Sequence, residues 1–145
     1  MKKKSHYLII FLIVILGSCG GVIGNIQKYS FANANPDTLS AAINRVYQKY
    51  PDLIKNDTSM YGNNNGNIFY FVLSQEHERY VFKCTIISYP SPYDKDIDLS
   101  LTSATKWGTS MDLAPDMGYW QKRKYRNLFE KNILPKIYKE FKREE

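Results

Sequence analysis

Histidine and cysteine are scarce in this chain, with two of each among 145 residues. The count excludes histidine-rich and cysteine-rich metal sites, which take three or four such ligands. Long apolar runs are scarce too. The run Tyr7 to Leu16 has ten residues and as a helix would span about 15 Å, against about 30 Å for a bilayer core. It is a poor permanent span. No internal repeat is present, and the patch Asn63-Asn64-Asn65 is too short to be more than a turn. His77 lies between Glu76 and Glu78 in an expected hairpin connection, where nothing clamps an imidazole between a nucleophile and an acid as a triad requires. It reads as an exposed turn residue.

The first nineteen residues carry an address. Lys2-Lys3-Lys4 precedes the apolar run, and Leu16-Gly17-Ser18-Cys19 closes it. Positive charge, a short apolar stretch and small residues before a cysteine together resemble the signal and lipobox of bacterial lipoproteins, over Met1 to Cys19 only. The resemblance implies cleavage before Cys19 after its thiol has received diacylglycerol, with fatty acid added and no other cofactor. Two acyl chains make a stable anchor where one does not. An uncleaved anchor is the alternative, because Gly17 to Gly24 adds no charge, and a plain secretory cut is a third. Gly20 and not Asp follows Cys19, which by the same resemblance implies export to the outer membrane. No acidic run follows, so the domain is expected to face the periplasm.

Three parts are therefore expected: a signal at 1–18, a lipidated cysteine and glycine-rich tether at 19–25, and one domain at 26–145. The chain has 20 basic and 14 acidic residues, and the three leading lysines account for half of the excess. Much of the rest lies in Lys122-Arg123-Lys124-Tyr125-Arg126 and the lysines that follow it. This reads as a solvated helix face, with anionic lipid headgroups as the sharper alternative. Nucleic acid is not an expected partner outside the cytoplasm. Lipidation uses one cysteine, which leaves Cys84 without an intramolecular partner. It lies in an alternating apolar pattern and reads as a small buried hydrophobe.

Tyr29 and Phe31 permit a short first strand. Asn35-Pro36-Asp37 opens a helix through an N-cap, a proline at the first position and an acid at the positive end. Leu39, Ala42, Ile43, Val46, Tyr47 and Tyr50 recur with helical period, and Pro51 ends the run. Ile68 to Leu73 and Arg79 to Tyr89 read as an antiparallel hairpin. Ile97, Leu99 and Leu101 alternate with Asp98, Ser100 and Thr102, which predicts a strand with its polar face in solvent. Trp107 to Tyr119 reads as irregular. A last helix begins near Trp120, and Pro135 is expected to kink or divide it. The expected fold is α+β and two-layered. An antiparallel meander of three to four strands carries two amphipathic helices on one face, in the order (β)-α-β-β-β-α. In element order alone this resembles the helix-grip-like domains of small envelope lipoproteins. Whether residues 29–31 join the sheet is left open.

Carboxylates are the remaining catalytic option. Asp94, Asp96 and Asp98 have the opening spacing of a calcium loop, but Leu99 and Thr105 stand where glycine and glutamate are needed. Asp112 and Asp116 could form a glycosidase-like pair, and a carboxylate-based hydrolase is the least favoured reading. Aromatic residues make up 14% of the chain. Most fall on core positions, but Tyr89, Tyr93, Trp107, Tyr119 and Trp120 fall in or beside loops. Such rings suit interfaces, burying area while keeping a polar atom available. The chain is thus expected to be a non-enzymatic envelope lipoprotein that binds a protein, as an accessory of an envelope complex or an immunity-type inhibitor. The alternative is a peptidoglycan-, glycan- or lipid-binding module.

Overall fold

Asn35 starts the first helix of the computed structural model, which describes residues 24–53, 66–88 and 96–142. Its side-chain oxygen accepts from the Thr38 backbone N–H at 2.8 Å and from the Thr38 hydroxyl at 2.9 Å. Helix α1 (Pro36–Lys49) follows with Pro36 in its first turn, and ends in the 3-10 turn Pro51–Leu53. Its Leu39, Ala42, Ile43 and Val46 have no exposed surface. The lipobox residues Leu16, Gly17, Ser18 and Cys19, and the aromatic residues Tyr89 and Tyr93, lie outside the described residues.

The sheet has five antiparallel strands. Strands β2 (Ile68–Gln75), β3 (Glu78–Ser88) and β4 (Ile97–Lys106) form the meander. The β2–β3 turn is made by Glu76 and His77, both at positive φ. Strand β1 (Gln27–Phe31) does join the sheet, pairing with the first half of β4. The two-residue strand β5 (Asp112–Leu113) pairs farther along β4, at Ser103 and Ala104, within the stretch expected to be irregular. The 3-10 turn Ala114–Asp116 leads to helix α2 (Tyr119–Asn132), and a break at Ile133 separates it from helix α3 (Leu134–Phe141). Pro135 divides the last helical segment as its ring and missing N–H require.

The helices cover one face of the sheet. Phe71, Phe82 and Phe129 meet there, with ring centroids of Phe129 at 6.0 Å from Phe71 and 5.7 Å from Phe82. Tyr29 stacks on Phe129 at 5.6 Å, and Phe31 stacks on Tyr138 at 4.8 Å. Cys84 has no exposed surface, and burial pushes its thiol well up. A carboxylate from α3, Glu140, is also buried here. It takes an ion pair from Lys49 at 2.6 Å, and its backbone oxygen accepts from Arg45 at 3.1 Å, which ties α3 to α1.

Strand β4 departs from simple alternation. Lys83 pairs with Ser103 but Cys84 pairs with Leu101, so Thr102 is an extra residue in the ladder. A bulge of this kind shifts the facing of every residue beyond it. Leu99 and Leu101 point to the helices before it, and Ala104 after it. The polar side of β4 reaches solvent less than its alternation predicts, with Asp98 and Thr102 half-buried. Ser100 is fully buried and donates to Asn25 at 2.6 Å, and Ser103 and Thr105 are buried as well. The turn after β4 folds back over Ser103 and Thr105, and the Thr105 hydroxyl donates to the Ser110 carbonyl at 2.8 Å. Beneath that turn a second apolar cluster forms from Tyr70, Val72 and Val81, flanked by Ile68, Trp107 and Met111.

Candidate functional site

The expected aromatic surface is built into two different faces. Trp107 directly follows β4, and its backbone N–H donates to the Arg79 carbonyl at 2.7 Å. The hairpin register thereby brings the Arg79 guanidinium over the indole, 4.3 Å from the ring centroid. Trp107 is half-buried in the second cluster, while Arg79 is exposed. Arg79 also lines an open cleft of about 420 Å³ with Pro51, Leu53, Val72 and Ser74. An arginine stacked on a tryptophan thus lines a cleft, and these two residue types are enriched in binding hot spots.

Tyr119 and Trp120 open helix α2 on the other face and are 69% and 72% exposed. Their rings meet edge to face at 5.1 Å, so neither is capping the core. Arg123, one turn on, lies 5.6 Å from the Trp120 ring centroid. Tyr119, Lys122, Arg123 and Arg126 line a shallow surface hollow with Ile26. Leu113, in the short strand before the helix, is also largely exposed. Gly118 caps α2 without a side-chain hydrogen bond, and the first turn holds no acid. Placing Lys122, Arg123 and Lys124 toward the positive end of the helix dipole runs against helix stability. Local rules are broken in this way where a surface serves something other than folding.

The candidate carboxylates have the following surroundings. Asp112 accepts from Gln121 at 2.8 Å, Asp116 is exposed in the 3-10 turn before α2, and Asp98 accepts from Ser30 at 2.6 Å. Asp94 lies outside the described residues. His77 is an exposed turn residue, as its surroundings in the sequence imply. Among the described residues no three His, Cys, Asp or Glu side chains gather as metal ligands would, and no helix is long and apolar enough to cross a membrane.

One polar cluster was not anticipated. Glu78 pairs with Lys106 at 2.6 Å and with Lys124 at 4.0 Å, and accepts from the Tyr80 hydroxyl. These hydrogen bonds, that from Lys106 first, hold its carboxyl down to about 2. The cluster ties β3, β4 and α2 together at the hairpin end. The grouping of Arg123 with Trp120 is visible as an i, i+3 pair. The grouping of Arg79 with Trp107 depends on strand register and has no local signal. The chain matches no protein-family model, no curated protein and no solved structure.

Proposed function

We propose that this chain is a lipid-anchored protein of the bacterial envelope that works by binding a protein partner and not by catalysis. Cys19 carries the anchor, in the outer membrane, with the domain in the periplasm as an accessory or inhibitor of a larger assembly. The observation that carries the reading is the Arg79–Trp107 pair at 4.3 Å beside an open cleft. A planar guanidinium on an indole is ordered before a partner arrives, so little side-chain entropy remains to be lost on binding.

The test is a crosslinked pull-down of the tagged full-length chain from native membranes, read by mass spectrometry. A stoichiometric protein should be recovered by the native chain and lost from Arg79→Ala, whose exposed side chain can be removed without disturbing the core. Trp107→Phe keeps most of the apolar packing and should weaken capture less. A hot-spot pair at this position accounts for about 2 kcal/mol or more, roughly a thirtyfold loss of affinity. Equal recovery by all three chains would remove this face from the interface. Sedimentation of the chain with purified peptidoglycan, in the absence of protein, would assign the cleft to glycan instead.

A further inference from the structure

We infer that the Tyr119–Trp120 face is a membrane-docking surface that seats the domain on anionic phospholipid. It is separate from the protein-binding face and rests on the lipid anchor at Cys19. Only four residues separate Cys19 from Gly24, and the span between the two reaches about 17 Å at full extension. The described chain begins at Gly24, where an added Cβ would stand 3.9 Å from the Pro115 ring, two residues after exposed Leu113. Ile26 then lines the same hollow as Tyr119, Lys122, Arg123 and Arg126. The tether thus leaves the domain beside this face and keeps it close to the bilayer surface.

The chemistry of the face fits that location. Tyrosine and tryptophan are favoured at the membrane–water boundary, where an apolar ring meets acyl chains and a polar atom meets headgroups. Leu113 adds an apolar contact. Lys122, Arg123 and Arg126 supply three cations within two turns of α2, while Lys124 turns to Glu78, and no acid interrupts the helix before Glu130. Of the nearby acids, Asp112 is engaged by Gln121 and Asp116 is exposed beside Pro115. An anionic surface is therefore favoured over a neutral one, within the short range that salt allows. The exposed positive end of α2 adds to the same field.

The lipidated full chain, reconstituted into phosphatidylcholine vesicles with and without phosphatidylglycerol, provides the test. The acyl chains carry bromine to quench tryptophan emission on contact. Vesicle flotation reports the anchor and quenching reports docking. The native chain should float and be quenched, more strongly with phosphatidylglycerol present. Trp120→Phe should float and lose that quenching, which separates Trp120 from Trp107. Neutralising Lys122, Arg123 and Arg126 to glutamine should abolish the dependence on phosphatidylglycerol. Flotation without Trp120-dependent quenching would overturn the docking and leave the anchor standing. Failure to float would overturn both. A face crosslinked to an envelope protein and never quenched by lipid would be a second protein site, and the docking would again be wrong.

Discussion

Phe82 and Trp120 are both large aromatic residues, and their surroundings give them opposite roles. Phe82 has no exposed surface and packs against Phe129 and Tyr125. Truncation leaves a cavity that these two rigid neighbours cannot close, so Phe82→Ala should destabilise the domain by about 3–5 kcal/mol. Trp120→Ala removes an exposed ring and should stay within about 0.5 kcal/mol of the native chain in a denaturant titration. Loss of stability in the second variant as large as in the first would place Trp120 in the core. Glu78 gives the residue scale its pH dependence. Its carboxyl titrates from an ordinary value of 4.5 down to about 2 in the folded chain, chiefly through Lys106 and Tyr80. The folded value lies below the unfolded one, so its stabilisation is complete above the unfolded value and lost as pH falls through the folded one. The melting-temperature gap between native chain and Glu78→Gln should therefore be constant near neutrality and close as pH falls from about 4.5 toward 2. The group is exposed, so high salt should narrow the gap. A gap that widened in acid would show that the carboxylate is not held by these donors.

Helix α1 and the bulged strand β4 differ in how far the sequence determines them. The start of α1 is written in four adjacent residues, because capping is local: Asn35 meets Thr38 three positions away. Its buried stripe follows from period alone. The division of α2 from α3 is equally local, since one proline forbids the continuous ladder. The bulge at Thr102 has no such signature. It is set by the pairing of β3 with β4, and it turns Ser103 and Thr105 away from the helices, beneath a turn that the sequence presents only as polar. Alternation through Ile97, Leu99 and Leu101 reads correctly up to that point and fails after it. The Lys49–Glu140 contact is also nonlocal, joining α1 to α3 across 91 residues of sequence. Glu140 is 1% exposed but Lys49 is 39% exposed, so water screens one side of the pair. Lys49→Met should cost about 1–3 kcal/mol, because a buried carboxylate loses a charged donor. Combining it with Glu140→Leu should recover much of that loss, since a well-packed apolar pair often replaces a buried ion pair without penalty. A double variant no more stable than Lys49→Met would mean that Glu140 serves α3 through its other contacts.

At the scale of the whole molecule, the division of aromatic residues between two faces gives the domain an orientation. The sequence places Trp107, Tyr119 and Trp120 near one another in the chain, but β5 and the turns around it lead them to different faces. The exposure of Tyr119 and Trp120 was legible from loop position, whereas Trp107 is half-buried in the second cluster; their separation was not legible, because it depends on how β4 ends and α2 begins. If the Tyr119–Trp120 face docks on the bilayer as proposed, the Arg79–Trp107 cleft on the domain's other surface is left for the proposed partner. A short tether makes this arrangement quantitative. Docking by a tethered domain is an intramolecular step, and its effective concentration falls as roughly the −3/2 power of tether length. Inserting a flexible Gly/Ser segment between Gly20 and Gly24, so that the tether becomes about four times longer, should lower the docked-to-undocked ratio roughly eightfold. Trp120 quenching by brominated lipid should fall accordingly, while flotation stays complete because the acyl chains are untouched. Partner capture through Arg79 should persist, since that face does not depend on contact with lipid. Unchanged quenching in the long-tether chain would mean that the face binds lipid strongly without help from the anchor. Loss of partner capture together with quenching would mean that the partner reads the docked orientation, and that the bilayer holds the domain at the height where the partner meets it.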